Sequence, residues 1–360
     1  MKSTEQIDLR EYGLDDSFIA QIVEYPDLYL ARIVSQEKSI YQAICANGEI
    51  FAEVSGKLRF EATIPSDFPA VGDFVMLDRC TDKNGNAIIH HVLRRKNLFV
   101  RKASGKTNEE QVVAANIDIV FLCMSLNKDF NLHRLERYLS LAWESGAIPV
   151  VILTKADLCD NLLRKLQVID SVAFGVDVVV TSSIEPYGWQ QIFKYIKPGC
   201  TVALLGSSGV GKSSLINCLL GEERLNTKEI RIDDDKGRHA TTRRELFLIS
   251  GGGIVIDTPG MRELGMWDVS NGLDKSFTDV EVYFGKCRFR NCTHTSEPGC
   301  AIWSAIEQGK LSPKRWESYR RLKTEAVFAE DKGNYLAEKE KKFKNIAKIN
   351  KTIQKYLKNK

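Results

Sequence analysis

Residues 206 to 213 read Gly206-Ser207-Ser208-Gly209-Val210-Gly211-Lys212-Ser213, between an apolar run, TVALL, and a helical run, KSSLINCLL. No other segment narrows the fold so far. A G-x-x-x-x-G-K-S turn needs small residues, so that successive backbone N–H groups can face inward around phosphate oxygens. It also needs a strand before it and a helix after it, because the helix N-terminus favours the anion. In such a loop Lys212 supplies a point charge to the β- and γ-phosphates and the Ser213 hydroxyl ligates Mg2+, with Ser214 following on the same helical turn.

The surrounding rhythm agrees. From about Ile117, apolar runs alternate with helical patterns: IDIVFLCMSL, LHRLERYLSLAWESG, PVVILTKADL, NLLRKLQVIDSVAF, DVVVTSS, a helix near WQQIFKYI, TVALLGSSG, KSSLINCLL, ELFLIS and GIVIDTPG. Six strands with intervening helices predict a largely parallel sheet covered on both faces. Ligands of such sheets bind beyond the carboxyl ends of the strands, and every motif here falls at such an end.

Three of these motifs bear on which nucleotide is held. Thr154-Lys155-Ala156-Asp157 closes one strand; the Asp157 carboxylate can accept from guanine N1–H and its 2-amino group while the Lys155 stem lies along the purine. Adenine has no donor at either place and would leave that carboxylate unpaired, at roughly a few kcal/mol. An ordinary strand-end turn is the alternative reading. Thr181-Ser182-Ser183 closes the next strand and fits the loop that reads guanine O6. Asp257-Thr258-Pro259-Gly260 fits DxxG, in which Asp257 holds Mg2+ through water and the Gly260 N–H reaches the γ-phosphate. Between it and the phosphate loop, GRHATTRREL offers Thr241 or Thr242 as a second Mg2+ hydroxyl, or as plain loop hydroxyls.

The order of these parts is permuted, with base-reading elements at 154 and 182 preceding the phosphate loop at 206, the threonines at 241 and DTPG at 257. Joining the old termini and cutting after DTPG preserves every strand neighbour, because compact domains keep their ends close. DTPG then leads straight into whatever follows, so nucleotide state is expected to reach the C-terminal appendage.

That appendage holds Cys287, Cys292, His294 and Cys300 within 14 residues. Three thiolates and an imidazole suit one tetrahedral, structural Zn2+, and the segment has too little apolar content to fold unaided. Unpaired cytosolic cysteines are the alternative. The other six cysteines (Cys45, Cys80, Cys123, Cys159, Cys200, Cys218) are scattered singly and read as reduced thiols.

Upstream, residues 28 to 100 carry five short apolar runs separated by turns such as Asn47-Gly48 and Ser55-Gly56. This is the pattern of a small β-barrel, an OB-fold or otherwise an SH3-like barrel. The whole chain of 360 residues carries a formal +4, yet residues 313 to 360 hold 15 Lys and Arg against 6 Asp and Glu. A tail at +9 on a body at −5 suggests a foothold on a polyanion such as RNA, a solvated helix being the bland reading. With 43% hydrophobic residues but no long apolar stretch, no membrane contact is expected, and an acidic N-terminal segment without a secretory signal suggests the cytoplasm.

Taken together, the permuted order, DFNLHRLERYL, GSSGVGKSSLIN, GRHATT, DTPGMREL and the HTSEPGCA continuation resemble the RsgA family of small ribosomal subunit biogenesis GTPases, also called YjeQ or YloQ. The likeness runs over nearly the whole chain. It implies a multidomain protein: an N-terminal extension (1–27), an OB-fold barrel (28–103), a circularly permuted α/β P-loop GTPase domain (104–270), and a zinc-binding domain with basic helices (271–360). It implies guanine contacts by Lys155 and Asp157, phosphate and Mg2+ contacts by Gly209 to Ser213, and Zn2+ ligation by the four residues named. It implies a monomeric GTP hydrolase that binds the 30S subunit and its 16S rRNA late in maturation and is stimulated there. Met261 stands where many GTPases carry a water-positioning glutamine, and His239 resembles the histidine thought to substitute; Ala240 departs from the threonine of many members. A nucleotide-gated RNA-binding scaffold without meaningful hydrolysis, or a GTPase of large-subunit assembly, are the competing readings.

Overall fold

The computed structural model describes residues 6–81, 85–102, 110–184, 188–225, 244–257, 270–295 and 297–326. Near the N-terminus, α1 (Asp16–Ile22) is started by Asp15, whose carboxylate accepts from the Ser17 and Phe18 N–H groups. Strands β1 (Tyr29–Glu37), β2 (Ile40–Cys45) and β3 (Gly48–Val54), the short helix α2 (Gly56–Glu61), and β4 (Phe74–Leu77) and β5 (Ala87–Val92) follow. β1 pairs antiparallel with both β2 and β4, β3 pairs parallel with β5, and β5 returns antiparallel to β4, which closes a five-stranded barrel. That connectivity is the OB-fold, not the SH3-like alternative. Phe18 of α1 packs on Phe74 at 4.5 Å between ring centroids and plugs one side of it.

A hairpin of β6 (Leu98–Lys102) and β7 (Glu110–Ala115) comes next. β8 (Ile119–Ser125), α3 (Leu132–Ser145), β9 (Ile148–Thr154), α4 (Leu162–Asp170), β10 (Asp177–Val180), β11 (Thr201–Leu205), α5 (Lys212–Leu220), β12 (Arg244–Leu248) and β13 (Ile254–Asp257) then build the second sheet. Its order is β10-β9-β8-β11-β13-β12, parallel except for β12. The permuted chain therefore places the phosphate-loop strand β11 at the centre, between the strand that opens the domain and the strand that ends at Asp257. The helix expected near WQQIFKYI is a 3-10 helix over Gln190–Tyr195. Leu135, Tyr138, Leu139 and Ala142 of α3, with Ile169 of α4, cover one face. Leu215, Ile216 and Leu219 of α5, with Ile192, cover the other. α4 is amphipathic because it lies between that sheet and solvent, whereas the outer side of α3 carries the buried Glu136 and Ser140.

The barrel and this sheet are joined. Ser35 and Gln36 of β1 pair with Glu245 and Arg244 of β12, so the two sheets run on as one of eleven strands. Beside the joint, Gly72 (φ +95°) lies so close to β7 that a Cβ there would sit 2.2 Å from the Ala115 carbonyl oxygen. Arg32, 1% exposed, donates from Nε to the Gly72 carbonyl at 3.1 Å, from one terminal nitrogen to Thr201 Oγ1 at 2.9 Å, and from the other to the Tyr12 carbonyl. Burial pulls its pKa down to about 10, so it stays charged at neutral pH and ties the N-terminal segment, barrel and β11 together.

At the C-terminal end, α6 (Ser270–Ser276), α7 (Thr278–Glu281), α8 (Ala301–Glu307) and a helix α9 over residues 313–326 enclose Leu273, Phe277, Ile302, Trp316, Tyr319 and Leu322. Cys45 and Cys80, read from the sequence as separate thiols, face each other across one end of the barrel as a disulfide, with Cα atoms 6.2 Å apart. β2 and β4 are not adjacent in sequence, so the spacing of the two residues held no sign of this. No helix among the described residues is long and apolar enough to cross a membrane.

Candidate nucleotide site and metal centre

The phosphate loop leaves β11 at Gly206 and enters α5 at Lys212. Gly206 has to be glycine: a Cβ would lie 2.6 Å from the Cys123 carbonyl oxygen and 3.2 Å from Val210 Cγ1. Gly209 (φ +69°) and Gly211 (φ +101°) make the turns that bring the chain back onto the helix axis. Lys212 folds over the loop's entry, its ammonium donating to the carbonyls of Gly206 at 2.8 Å and Ser207 at 2.7 Å. Cys123 lies beneath, fully buried, and burial pushes its thiol up to about 12, so it is a neutral packing group.

The Thr154–Asp157 segment meets this loop directly. The buried Thr154 hydroxyl donates to the Val210 carbonyl at 2.5 Å, and Lys155 Nζ donates to the Gly209 carbonyl at 2.6 Å. Lys155 takes a left-handed backbone conformation (φ +57°), which costs roughly 1–2 kcal/mol for a residue with a Cβ. The twist lays its stem across the loop. Asp157 lies on the 3-10 turn that follows, Ala156–Leu158, and its Oδ1 accepts from the buried Ser182 hydroxyl at 2.6 Å. The Ala156 N–H donates to the Thr181 carbonyl at 3.1 Å, and Ser183 continues from there. Ser182 thus orients a carboxylate that stays exposed.

The structure therefore brings Thr154 and Lys155 onto the phosphate loop across about fifty residues of sequence, with Asp157 and Ser182 paired on the turns that adjoin them. Ser213 and Ser214 lie on the first turn of α5, and Asp257 ends β13 next to β11. His239, Thr241, Thr242, Gly260 and Met261 lie outside the described residues. Two residues to which the sequence reading assigned no site role also reach the loop: Ser207 Oγ donates to Asp129 Oδ2 at 3.0 Å and accepts from Arg134 at 2.9 Å. Both lie in the DFNLHRLERYL segment that carried the family resemblance, and that segment follows a strand whose carboxyl end must lie beside the loop. A separate cavity of about 430 Å³, lined by Gln36, Tyr41, Ile64, Phe68, Val112 and Arg244, lies away from these groups. The phosphate loop is the better candidate, because such loops cradle their ligand with backbone N–H groups in an open turn.

In the C-terminal unit the sulfurs of Cys287, Cys292 and Cys300 and a nitrogen of His294 all fall within 4.8 Å of one another. His294 Nδ1 is 3.5 Å from Cys287 Sγ and 3.4 Å from Cys300 Sγ. A tetrahedral Zn2+ with Zn–S near 2.3 Å and Zn–N near 2.0 Å requires S···N edges of about 3.5 Å, so the donor set fits. Its surroundings fit as well. The Ala301 N–H donates to Cys287 Sγ at 3.3 Å, Trp303 Nε1 to the His294 carbonyl at 3.1 Å, and Glu297 accepts from the Thr293 and Thr295 N–H groups. The Thr293 hydroxyl above all, and then those N–H groups, hold the Glu297 carboxyl far below the usual range, beside the left-handed turn at His294 (φ +59°).

Comparison with known proteins agrees with this geometry. The RsgA GTPase family model matches residues 92–267. A protein named small ribosomal subunit biogenesis GTPase RsgA 2, from Lactiplantibacillus plantarum, is 45% identical over 322 residues, covering 89% of this chain and 90% of its own. The Methanosarcina acetivorans protein of that name, without the numeral, is 42% identical, covering 86% and 82%. Among solved structures, YjeQ from Thermotoga maritima superposes with a TM-score of 0.61 at 27% identity, over 83% of this chain and 99% of that one. YloQ, described as a circularly permuted GTPase, shares the fold with a TM-score of 0.56 at 24% identity, over 84% and 96%.

Proposed function

The chain belongs to the RsgA family of small ribosomal subunit biogenesis GTPases, and from that premise we propose that it hydrolyses GTP to GDP and phosphate while assisting maturation of the 30S subunit. The observation that carries the residue-level reading is the bond from Lys155 to the Gly209 carbonyl, which makes the base-reading turn and the phosphate loop one cradle.

In that cradle the guanine lies against Asp157, with the Lys155 stem along its face. Ser182 holds the carboxylate through its Oδ1. The phosphates lie inside Gly206 to Ser214, where the N–H groups of Gly209 to Ser213 and the Lys212 charge receive them. Ser213, with Asp257 through water and Thr241 or Thr242, would hold Mg2+, which neutralises charge between the β- and γ-phosphates. The Gly260 N–H would meet the γ-phosphate, and His239 would orient the attacking water. Cys287, Cys292, His294 and Cys300 would hold one structural Zn2+. The partner surface is 16S rRNA within the 30S subunit, met by a cytoplasmic monomer, and contact with the subunit raises a slow intrinsic rate.

The test has two parts. Asp157→Asn exchanges an acceptor for a donor opposite the base, so preference should swing from GTP toward xanthosine triphosphate by about a hundredfold. Unchanged preference removes Asp157 from the site. Single-turnover hydrolysis with and without purified 30S subunits should show strong stimulation; no hydrolysis in either case would leave a nucleotide-gated scaffold.

A further inference from the structure

Arg134 lies outside every motif that names the nucleotide site, yet it closes a triangle on the phosphate loop. Its terminal nitrogen donates to Ser207 Oγ at 2.9 Å and to Asp129 Oδ2 at 3.1 Å, and the Ser207 hydroxyl donates to that same Asp129 oxygen at 3.0 Å. Each of the three groups is held by the other two. We propose that Arg134 is a positioning residue for hydrolysis: it fixes Ser207, and through the Ser207 carbonyl it fixes the Lys212 ammonium. This rests on the reading of the loop as a GTP site.

Three observations support it. Gly206 is pinned against Cys123, and Lys155 and Thr154 hold the carbonyls of Gly209 and Val210, so Arg134 and Asp129 grip the Ser207 side chain between those two holds. The Ser207 carbonyl is one of the two acceptors that hold Lys212, at 2.7 Å, so a shift of Ser207 moves the cation. The helix that carries Arg134 is itself anchored. Asn131 caps α3 by accepting from the Arg134 N–H at 3.1 Å, and one turn on the buried Glu136 accepts from Arg315 of α9 at 2.9 Å. His133 lies 3.0 Å from the Ser318 hydroxyl, and Ser140 lies 3.3 Å from that of Ser276. A side chain can hold a loop only as well as its own element is held, and this one is gripped from the C-terminal unit.

Among the described residues the Arg134 side chain donates to Ser207 and Asp129, both on the phosphate side, so its removal should be felt there and not at the base. The experiment measures GTP kcat and KM, base preference and thermal midpoint for Arg134→Ala, Ser207→Ala, the double variant and Arg134→Lys in the full chain. Arg134→Ala should lower kcat/KM for GTP about tenfold, mostly in kcat, with guanine preference and thermal midpoint unchanged. The double variant should lose no more than the worse single variant, because both remove one link. Arg134→Lys, which keeps the charge and a donor, should recover most of the loss. Wild-type kcat in Arg134→Ala, or losses that simply add, overturns the proposal. Should Arg134→Ala fail to fold, Asp129→Asn takes its place and is held to the same two outcomes. Lys212→Ala serves as control: if it still binds GTP as tightly as the parent, the nucleotide-site reading fails, not only the role of Arg134.

Discussion

Gly206 opens the phosphate loop and Gly221 closes α5, and they are needed for different reasons. Gly206 is required by space, because a Cβ would meet a backbone oxygen that cannot rotate away. Gly221 is required only by its left-handed backbone (φ +72°), with no atom within 4 Å of a built Cβ. Gly206→Ala must therefore displace the base of the phosphate loop, and GTP affinity should fall about tenfold or more, since misplacement by an ångström is costly in such sites. Gly221→Ala should cost roughly 1 kcal/mol of stability and leave GTP affinity within about twofold. Titration with a fluorescent GTP analogue, alongside a thermal melt, separates the two. At this scale the sequence was highly legible where the motif is local: the eight residues from Gly206 to Ser213 carry their own turn geometry. It was silent where a partner is distant. Nothing near Ser182 announces that its hydroxyl will meet Asp157, beyond the expectation that both end neighbouring strands, and nothing near Ser207 announces Arg134.

Among the elements, α3 shows how a strong pattern hides a second face. Leu135, Tyr138, Leu139 and Ala142 recur at helical spacing and pack on the sheet, which made the helix easy to read. Glu136 and Ser140 on its other side look like solvated residues, yet both are buried under α6 and α9. Arg315 reaches Glu136 across 179 residues, also donates to Asp279 at 3.0 Å, and stacks 3.8 Å from the Phe277 ring. Such a pair is left unreadable by periodicity, because a buried charge has the same letters as an exposed one. Removing one partner leaves the other charge desolvated, so Arg315→Met should destabilise the docked unit by about 3 kcal/mol. Adding Glu136→Leu should recover much of that loss. Urea unfolding of the single and double variants checks this, and equal stability of Arg315→Met and the parent would show that the pair is solvated. The same limit explains β6 and β7: a hairpin that straddles residues 103 and 104 has a pattern too short to distinguish from the end of a barrel.

For the whole molecule, the order of motifs was enough to anticipate the sheet, since permuting the chain changes which ends are cut and leaves neighbours alone. The seam between barrel and sheet was not foreseen, because β1 and β12 lie about two hundred residues apart and edge pairing leaves no compositional mark. That seam has a consequence for unfolding. A single apolar cluster runs from Ala31 and Ile50 in the barrel through Val120, Leu153 and Ile256 in the sheet, and Arg32 is satisfied only when both are folded. The C-terminal cluster is separate: among the described residues, Leu141 packs against both clusters, and polar contacts on α3 add to it. Its core also includes Cys300, 3% exposed, so the candidate metal ligands and the apolar packing share a residue. On the proposed reading of this cluster as a Zn2+ site, removing the metal should unfold the C-terminal unit and leave the barrel and the second sheet melting as one body. Calorimetry with and without a strong chelator should show a minor transition disappearing while the major one keeps its midpoint within a few degrees. Cys292→Ser should give the chelated trace without chelator, with zinc content falling from one per chain toward none. A barrel that melts apart from the sheet, or a major transition that collapses with the metal, would mean that the cores are coupled differently from the way their contacts divide.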